Sequence, residues 1–446
     1  MRIIRIDPMR PRKTRKFPVR LIVALAVAVV LAAVYLSALD YRVAKGRAAK
    51  YDREPSWALH TIAKPGMGRP NGLFSAALCQ EGKRDLVVVY PEKGRVFIAL
   101  RPTDTAGRWD SVALSVPGLC AAAAFTLDDG RQALLCATKT GLSLVSLANQ
   151  STPTSPSSWE VRSVATREGG YENIQSTQLF SETDYLLFAP KQGYCLFSPP
   201  KEGDRALSRW KVAPLAGCDA PARQLVVADV NGDGNQDIVL LRSDDELSVL
   251  YNPGVRDAAW DAPRKLFESP PGLEVGGMTV WRQSPSEFVL LLHTQHALAK
   301  VTRTRSEPLM VSLSLVPKEL GAQAAPGPLL AGDLTGTGKN LLAGALAPKG
   351  GRLASGKMSL FLTDPDAKPL ENFGLLALPI KWSDGTWAGF GGRGESFTML
   401  LWEDLTNDGA PDLVALCTGY RRLRPLLELV WLENPGEYPD YFLAPQ

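Results

Sequence analysis

Histidine is scarce: His60, His293 and His296 are the only three among 446 residues, and the six cysteines are scattered with no CxxC pair. A zinc centre built from Cys and His therefore has no candidate ligand cluster. "HTQH" at 293–296 brings two histidines close together, but i,i+3 positions on a strand point to opposite faces, so the segment reads as a solvated turn. There is no GxSxG elbow and no Ser/His/Asp or Cys/His constellation to suggest nucleophilic catalysis. "GFGGRG" at 389–394 satisfies GxGxxG, yet it lacks a strand before it, a helix after it and an acid about twenty residues on. "GDLTGTGKN" has the wrong glycine spacing for a phosphate loop, and Asn340 stands where Ser or Thr is needed. "RRLRP" at 421–425 reads as a solvated turn, and Asp244, Asp245 and Glu287 form no acid/base pair recognisable by spacing.

Basic charge is also scarce outside the N-terminus. Residues 1–20 carry eight Arg or Lys against one Asp, so a net charge of +4 leaves the remainder near −3. A body without basic excess is unsuited to coating a nucleic-acid backbone, and no nucleic-acid partner is expected.

Directly after the basic run, "LIVALAVAVVLAAVYLSAL" (21–39) is uncharged over 19 residues. At about 1.5 Å per residue, such a run with its flanks spans roughly 30 Å of hydrocarbon. It exceeds the roughly 7–15 residues of a signal-peptide core, and Leu36 breaks the small-x-small pattern that would end at Ala38. The reading is a cytoplasmic tail (1–20), a single transmembrane signal anchor (21–39), a juxtamembrane linker (40–55) and a body (56–446) outside the cytoplasmic membrane. In that compartment Cys195 and Cys218 could form a disulfide; buried free thiols are the alternative.

The body repeats. Trp57, Trp109, Trp159, Trp210 and Trp260 are 52, 50, 51 and 50 residues apart, and each leads a short strand-like segment. A polar turn followed by an apolar run recurs in phase, in copies starting at residues 77, 125, 176, 229, 279, 333 and 404. The last interval, 71 residues, holds an insertion placed within "GGRLASGKMSLFLTDPDAKPLENFG". Each unit has room for about four strands, and no segment of the body shows a capped 3.6-residue apolar period. Repeats of this length made of four strands predict an all-β, seven-bladed β-propeller, its ring closed by the N-terminal strand "SWALHTIA" and preceded by the transmembrane helix.

Two copies, "DVNGDGNQDIVLL" from 229 and "DLTNDGAPDLVAL" from 404, resemble the FG-GAP/VCBS repeat of integrin-alpha-like propellers, as do "VLYNPG" at 249 and "VWLENPG" at 430. They are not EF-hands: position twelve is Leu240 or Ala415, and the closing acid comes at position nine, as Asp237 or Asp412. The resemblance implies Ca²⁺ held by side-chain oxygens of Asp229, Asn231, Asp233 and Asp237 with the carbonyl of Asn235. In the second loop it implies Asp404, Thr406, Asp408 and Asp412 with the carbonyl of Ala410. The copy from 333 has Thr337 and Leu341 where acids are needed, and an ordinary turn is expected there. The implied function is a membrane-anchored, calcium-stabilised module that binds a protein or carbohydrate on one face. Propellers of this kind also occur in polysaccharide lyases, so a carbohydrate-active enzyme is the alternative.

Overall fold

The computed structural model describes residues within 57–434, leaving out short internal stretches, of which 199–206, 316–323, 334–340, 349–358, 364–375 and 383–395 are the longest. The chain divides at residue 53, and every described element belongs to the unit from Glu54 onward. Among the described residues, no helix is long and apolar enough to cross a membrane. The expected transmembrane segment, 21–39, lies outside them, as do His296, "GFGGRG" and Thr337.

The described elements are strands, apart from three single 3₁₀ turns. The first strand, β1, is Trp57–Ala63. Next come β2–β5 (Gly72–Gln80, Lys83–Tyr90, Arg95–Leu100, Asp110–Ser115) and β6–β9 (Leu119–Thr126, Gln132–Thr138, Gly141–Leu147, Trp159–Thr166). They are followed by β10–β13 (Asn173–Thr177, Asp184–Ala189, Gly193–Ser198, Lys211–Pro214) and β14–β17 (Ala222–Ala228, Asp237–Arg242, Glu246–Leu250, Arg264–Glu268). Two further groups are β18–β21 (Val275–Ser284, Glu287–Thr294, Ala297–Thr304, Glu307–Leu315) and β22–β25 (Ala324–Gly332, Leu341–Pro348, Ser359–Thr363, Leu376–Ala377). The chain finishes with β26 (Ile380–Trp382), β27 (Ser396–Glu403), β28 (Asp412–Arg421) and β29 (Arg424–Glu433).

Each group of four is one antiparallel meander with its strands in chain order. The remaining sheet is built differently, in the order β26-β1-β29-β28-β27. The expectation of seven like blades is thus corrected to six regular four-stranded blades, beside a five-stranded sheet assembled from distant segments. In that sheet β1 pairs antiparallel with β29, placing His60 opposite Trp431, and β26 adds to β1 in parallel, with Trp57 opposite Ile380. The N-terminal strand thereby covers an edge of β29 that would otherwise be free to pair with another chain. The supposed insertion at 350–374 is in part a regular blade strand, because β24 falls inside it. The same interval also holds β26, after the last strand of that blade.

The core lies between sheets, which is why the second and third strands are apolar without alternation. In β3, residues from Asp85 to Tyr90 are all buried, and every residue of β11 and β12 is buried. One side of each strand packs on the preceding sheet and the other on the following one. Val87 and Ile98 join a cluster with Leu119 and Leu134 of the next blade, whereas Leu86 and Val88 join one with Val414 and Leu429 of the closing sheet. Most of the periodic tryptophans mark the approach to an outermost strand: Trp159 opens β9, Trp109 and Trp210 immediately precede β5 and β13, and Trp260 lies in the connection before β17. Trp57 instead opens β1, which β26 covers in the closing sheet.

Innermost strands are tied across blades by side chains. The Gln224 amide accepts from Met278 N at 2.7 Å and donates to Met278 O at 2.8 Å, replacing a backbone pair between β14 and β18. Ser75 of β2 donates to Glu403 of β27 at 2.5 Å. All six cysteines are free thiols, Cys195 and Cys218 among them, and both of these are buried. His293 is fully buried in β19, not part of a solvated turn.

Candidate functional site

Both acidic segments connect the innermost strand of a sheet to its second strand: 229–237 joins β14 to β15, and 404–412 joins β27 to β28. Their internal geometry is nearly the same. Asp229 accepts from Gly232 N at 2.5 Å through one carboxylate oxygen and from Gly234 N at 3.0 Å through the other. Asp404 accepts likewise from Asn407 N at 2.6 Å and Gly409 N at 3.0 Å. Both partners in each loop sit at positive φ: Gly232 and Gly234 in one, Asn407 and Gly409 in the other. Asn is among the few non-glycine residues that tolerate this conformation, so the loops match despite Gly in one and Asn in the other.

The second acids sit further out. Asp233 Oδ1 accepts from Asn235 N at 2.7 Å and its Oδ2 from the Asn231 amide at 2.8 Å, while Asp408 accepts from Ala410 N at 2.8 Å. Thr406 donates its hydroxyl to Asp404 at 3.4 Å.

The closing acids are the buried ones, Asp237 and Asp412, each at the start of the second strand. Asp237 accepts from Val230 N at 2.9 Å and Asn252 N at 2.8 Å. Asp412 accepts from Leu405 N at 2.9 Å and Asn434 N at 2.8 Å. Burial pushes both carboxyls up to about 6 against those N–H bonds, and the nearby Asp233 or Asp408 adds to the rise. A buried anion that resists ionisation gains from a nearby cation.

Asn252 and Asn434 belong to the two "NPG" phrases and act as clasps. Their side-chain amides donate to the carbonyls of Gln236 and Pro411, at 3.0 Å in both loops. Asn252 also donates to Leu179 O in the neighbouring blade at 2.9 Å. These asparagines were missing from the residues singled out in the sequence, although the repeated "NPG" was the available signal.

The same architecture survives where the loop acids are gone. Asp85, buried in β3, accepts from Arg101 N at 2.9 Å and Cys79 N at 3.2 Å. The Arg101 guanidinium then crosses to the closing sheet, where one terminal nitrogen donates to Asp404 O, Leu405 O and the Asn407 side chain at 3.0, 2.7 and 3.0 Å. Arg256 repeats this reach in another blade, meeting the fully buried Asp184 at 3.1 Å. A cation from the third-to-fourth-strand connection thus reaches the preceding sheet in both places, at the first turn for Arg101 and at the start of the second strand for Arg256.

The donors in each acidic loop are all oxygens, the set that Ca²⁺ prefers and zinc or copper does not. Each carboxylate oxygen used by one N–H retains a lone pair. On donor chemistry, therefore, Asp229, Asn231, Asp233, Asp237 and the Asn235 carbonyl fit a calcium ion, as do Asp404, Thr406, Asp408, Asp412 and the Ala410 carbonyl. Among the described residues, however, no three His, Cys, Asp or Glu side chains converge into a ready-made cluster.

No family model matches the chain, and no curated protein matches it. Solved structures do. BBS1N, crystallised in complex with ARL6DN and soaked with mercury, is 11% identical, with 85% of this chain and 98% of that chain covered and a TM-score of 0.49. The S. cerevisiae core factor is 8% identical, with 87% and 64% covered and a TM-score of 0.43. The strand order described above identifies the chain as a β-propeller, a fold compatible with a binding or scaffold role.

Proposed function

We propose that this chain is a calcium-stabilised β-propeller that acts as a binding module outside the cytoplasmic membrane, attached there through its basic and then apolar N-terminal run. The observation that carries this reading is the pairing of two acidic turns with two asparagine clasps. In both, the recurring polar groups hold strand connections together. That arrangement suits a rigid platform whose loops carry recognition. The FG-GAP/VCBS-like character of the same two turns supports calcium as the ion. Extracellular calcium modules bind with Kd on the order of 10⁻⁴ to 10⁻³ M, which keeps such a site filled outside the cytosol.

Two experiments test the reading. Protease treatment of intact cells should remove the body while sparing a short N-terminal stub, and protection of the body would contradict the placement. Binding of envelope components to the purified chain should weaken on chelation, and identical capture with and without calcium would contradict the role of the ion.

A further inference from the structure

Where β1 and β29 of the closing sheet face the β2–β5 blade, they leave an open cleft of about 880 Å³. That volume falls within the range for small-ligand sites, roughly 300–1,000 Å³. Its aromatic wall comes from three places. Trp431 of β29 is stacked with His60 of β1 at 4.3 Å between ring centres and 19° between planes. Trp109, just before β5, is the half-buried ring of the lining, whereas Trp431 and Phe97 of β4 are buried members of the core beneath it. Polar groups stand over it: His60 Nε2 meets Glu433 Oε2 at 2.9 Å, with both side chains partly exposed.

The two cations of the cleft differ. Lys64 is held by Glu428 at 3.3 Å, whereas Arg108 is exposed and has no ion-pair partner among the described residues. Behind the aromatic wall, a hollow of about 20 Å³ is lined by Trp109, Trp431 and Arg101, and Arg101 is the residue that staples the closing sheet. The wall is thus backed by a fixed inter-blade contact, so its geometry is set before any ligand arrives. A preorganised site loses less on binding than one that must be ordered.

We infer that this cleft binds an oligosaccharide. A sugar ring offers a C–H face to an aromatic surface and hydroxyls to carboxylate, imidazole and guanidinium groups, and the cleft lining supplies both: the half-buried Trp109 ring, and Glu433, His60 and Arg108. A peptide strand is a poorer fit, because β26 already occupies the adjoining edge of β1. The inference rests on the binding-module reading and gives that module a ligand class and a place.

The test is calorimetric titration of the purified full-length chain with neutral and uronate oligosaccharides of two to six units. Saturable binding to at least one is expected, weakened about tenfold or more by Glu433→Gln and by Trp109→Ala. Glu433→Gln leaves the apolar wall intact and should keep the wild-type melting temperature, which guards against mere misfolding. No saturable binding to any sugar, or binding untouched by both substitutions, overturns the inference. If an envelope protein is captured equally by wild type and Glu433→Gln while no sugar binds, the cleft assignment fails and the module reading survives. If neither sugar nor envelope component binds, both fall.

Discussion

Asn252 N donates to Asp237 Oδ1 at 2.8 Å, and in the closing sheet Asn434 N donates to Asp412 Oδ1 at the same distance. In each case an asparagine after the third strand caps a buried acid at the start of the second. The acid in turn holds the N–H at the beginning of the acidic turn, so strand connection, buried charge and clasp form one unit.

Asn252→Ala is expected to remove the amide bonds to Gln236 O and Leu179 O and leave buried carbonyls without that donor. A loss of about 1–3 kcal/mol is expected. Urea unfolding monitored by tryptophan fluorescence would measure it, and a midpoint unchanged from wild type would contradict the clasp.

Arg101→Met is expected to destabilise by about 2 kcal/mol, because three acceptors on the closing sheet lose a shared charged donor. Arg101→Lys should rescue little, since a point ammonium cannot copy the guanidinium's fixed geometry. Thermal melts of the two variants should therefore cluster together, below wild type; a lysine variant equal to wild type would refute the geometric requirement.

Gly141 sits at φ +138°, and a Cβ there would lie 1.9 Å from Ala165 O on the neighbouring strand. Gly141→Ala must therefore move backbone and should cost more than about 2 kcal/mol. Gly130→Ala meets nothing within 4 Å and pays only for its φ of +83°, on the order of 1 kcal/mol. Comparing their melting temperatures checks the β8–β9 pairing directly.

Burial raises the Asp85 carboxyl above its ordinary value of 3.8, against the N–H bonds of Arg101 and Cys79. The folded state then holds this proton more tightly than the unfolded chain, so ionised Asp85 carries a penalty at all pH values above its folded pKa. The penalty shrinks as pH falls through that value and is gone below the unfolded one. Relative to Asp85→Asn, wild type should gain stability as pH is lowered from 7 toward 4. Melting curves across that range for both proteins would show it, and parallel curves would rule it out.

Much of the architecture was written in period and phase. Four of the evenly spaced tryptophans open or lead into an outer strand, and the recurrent polar turns fall between first and second strands, because each blade repeats one local pattern. The closing sheet was less legible: β1 was recognisable as a leftover strand, but β26 hides in an interval that looks like a loop insertion. The candidate site divides the same way. The acids of 229–237 and 404–412 follow a local motif, whereas Arg101 meets Leu405 across 304 residues and leaves no spacing signal. Asp85 and Asp184 escaped notice because they keep the buried closing acid after the rest of the loop has gone.

The central claim, that a cation completes the two acidic turns, is tested most directly by thermal unfolding of the purified chain after EDTA treatment and after addition of millimolar Ca²⁺, with metal analysis of the untreated protein. The account predicts bound calcium in the untreated protein, a lower melting temperature after chelation and recovery on adding Ca²⁺. It also predicts that Asp229→Ala together with Asp404→Ala abolishes the difference. A melting temperature indifferent to EDTA, in a protein that carries no calcium, would contradict it.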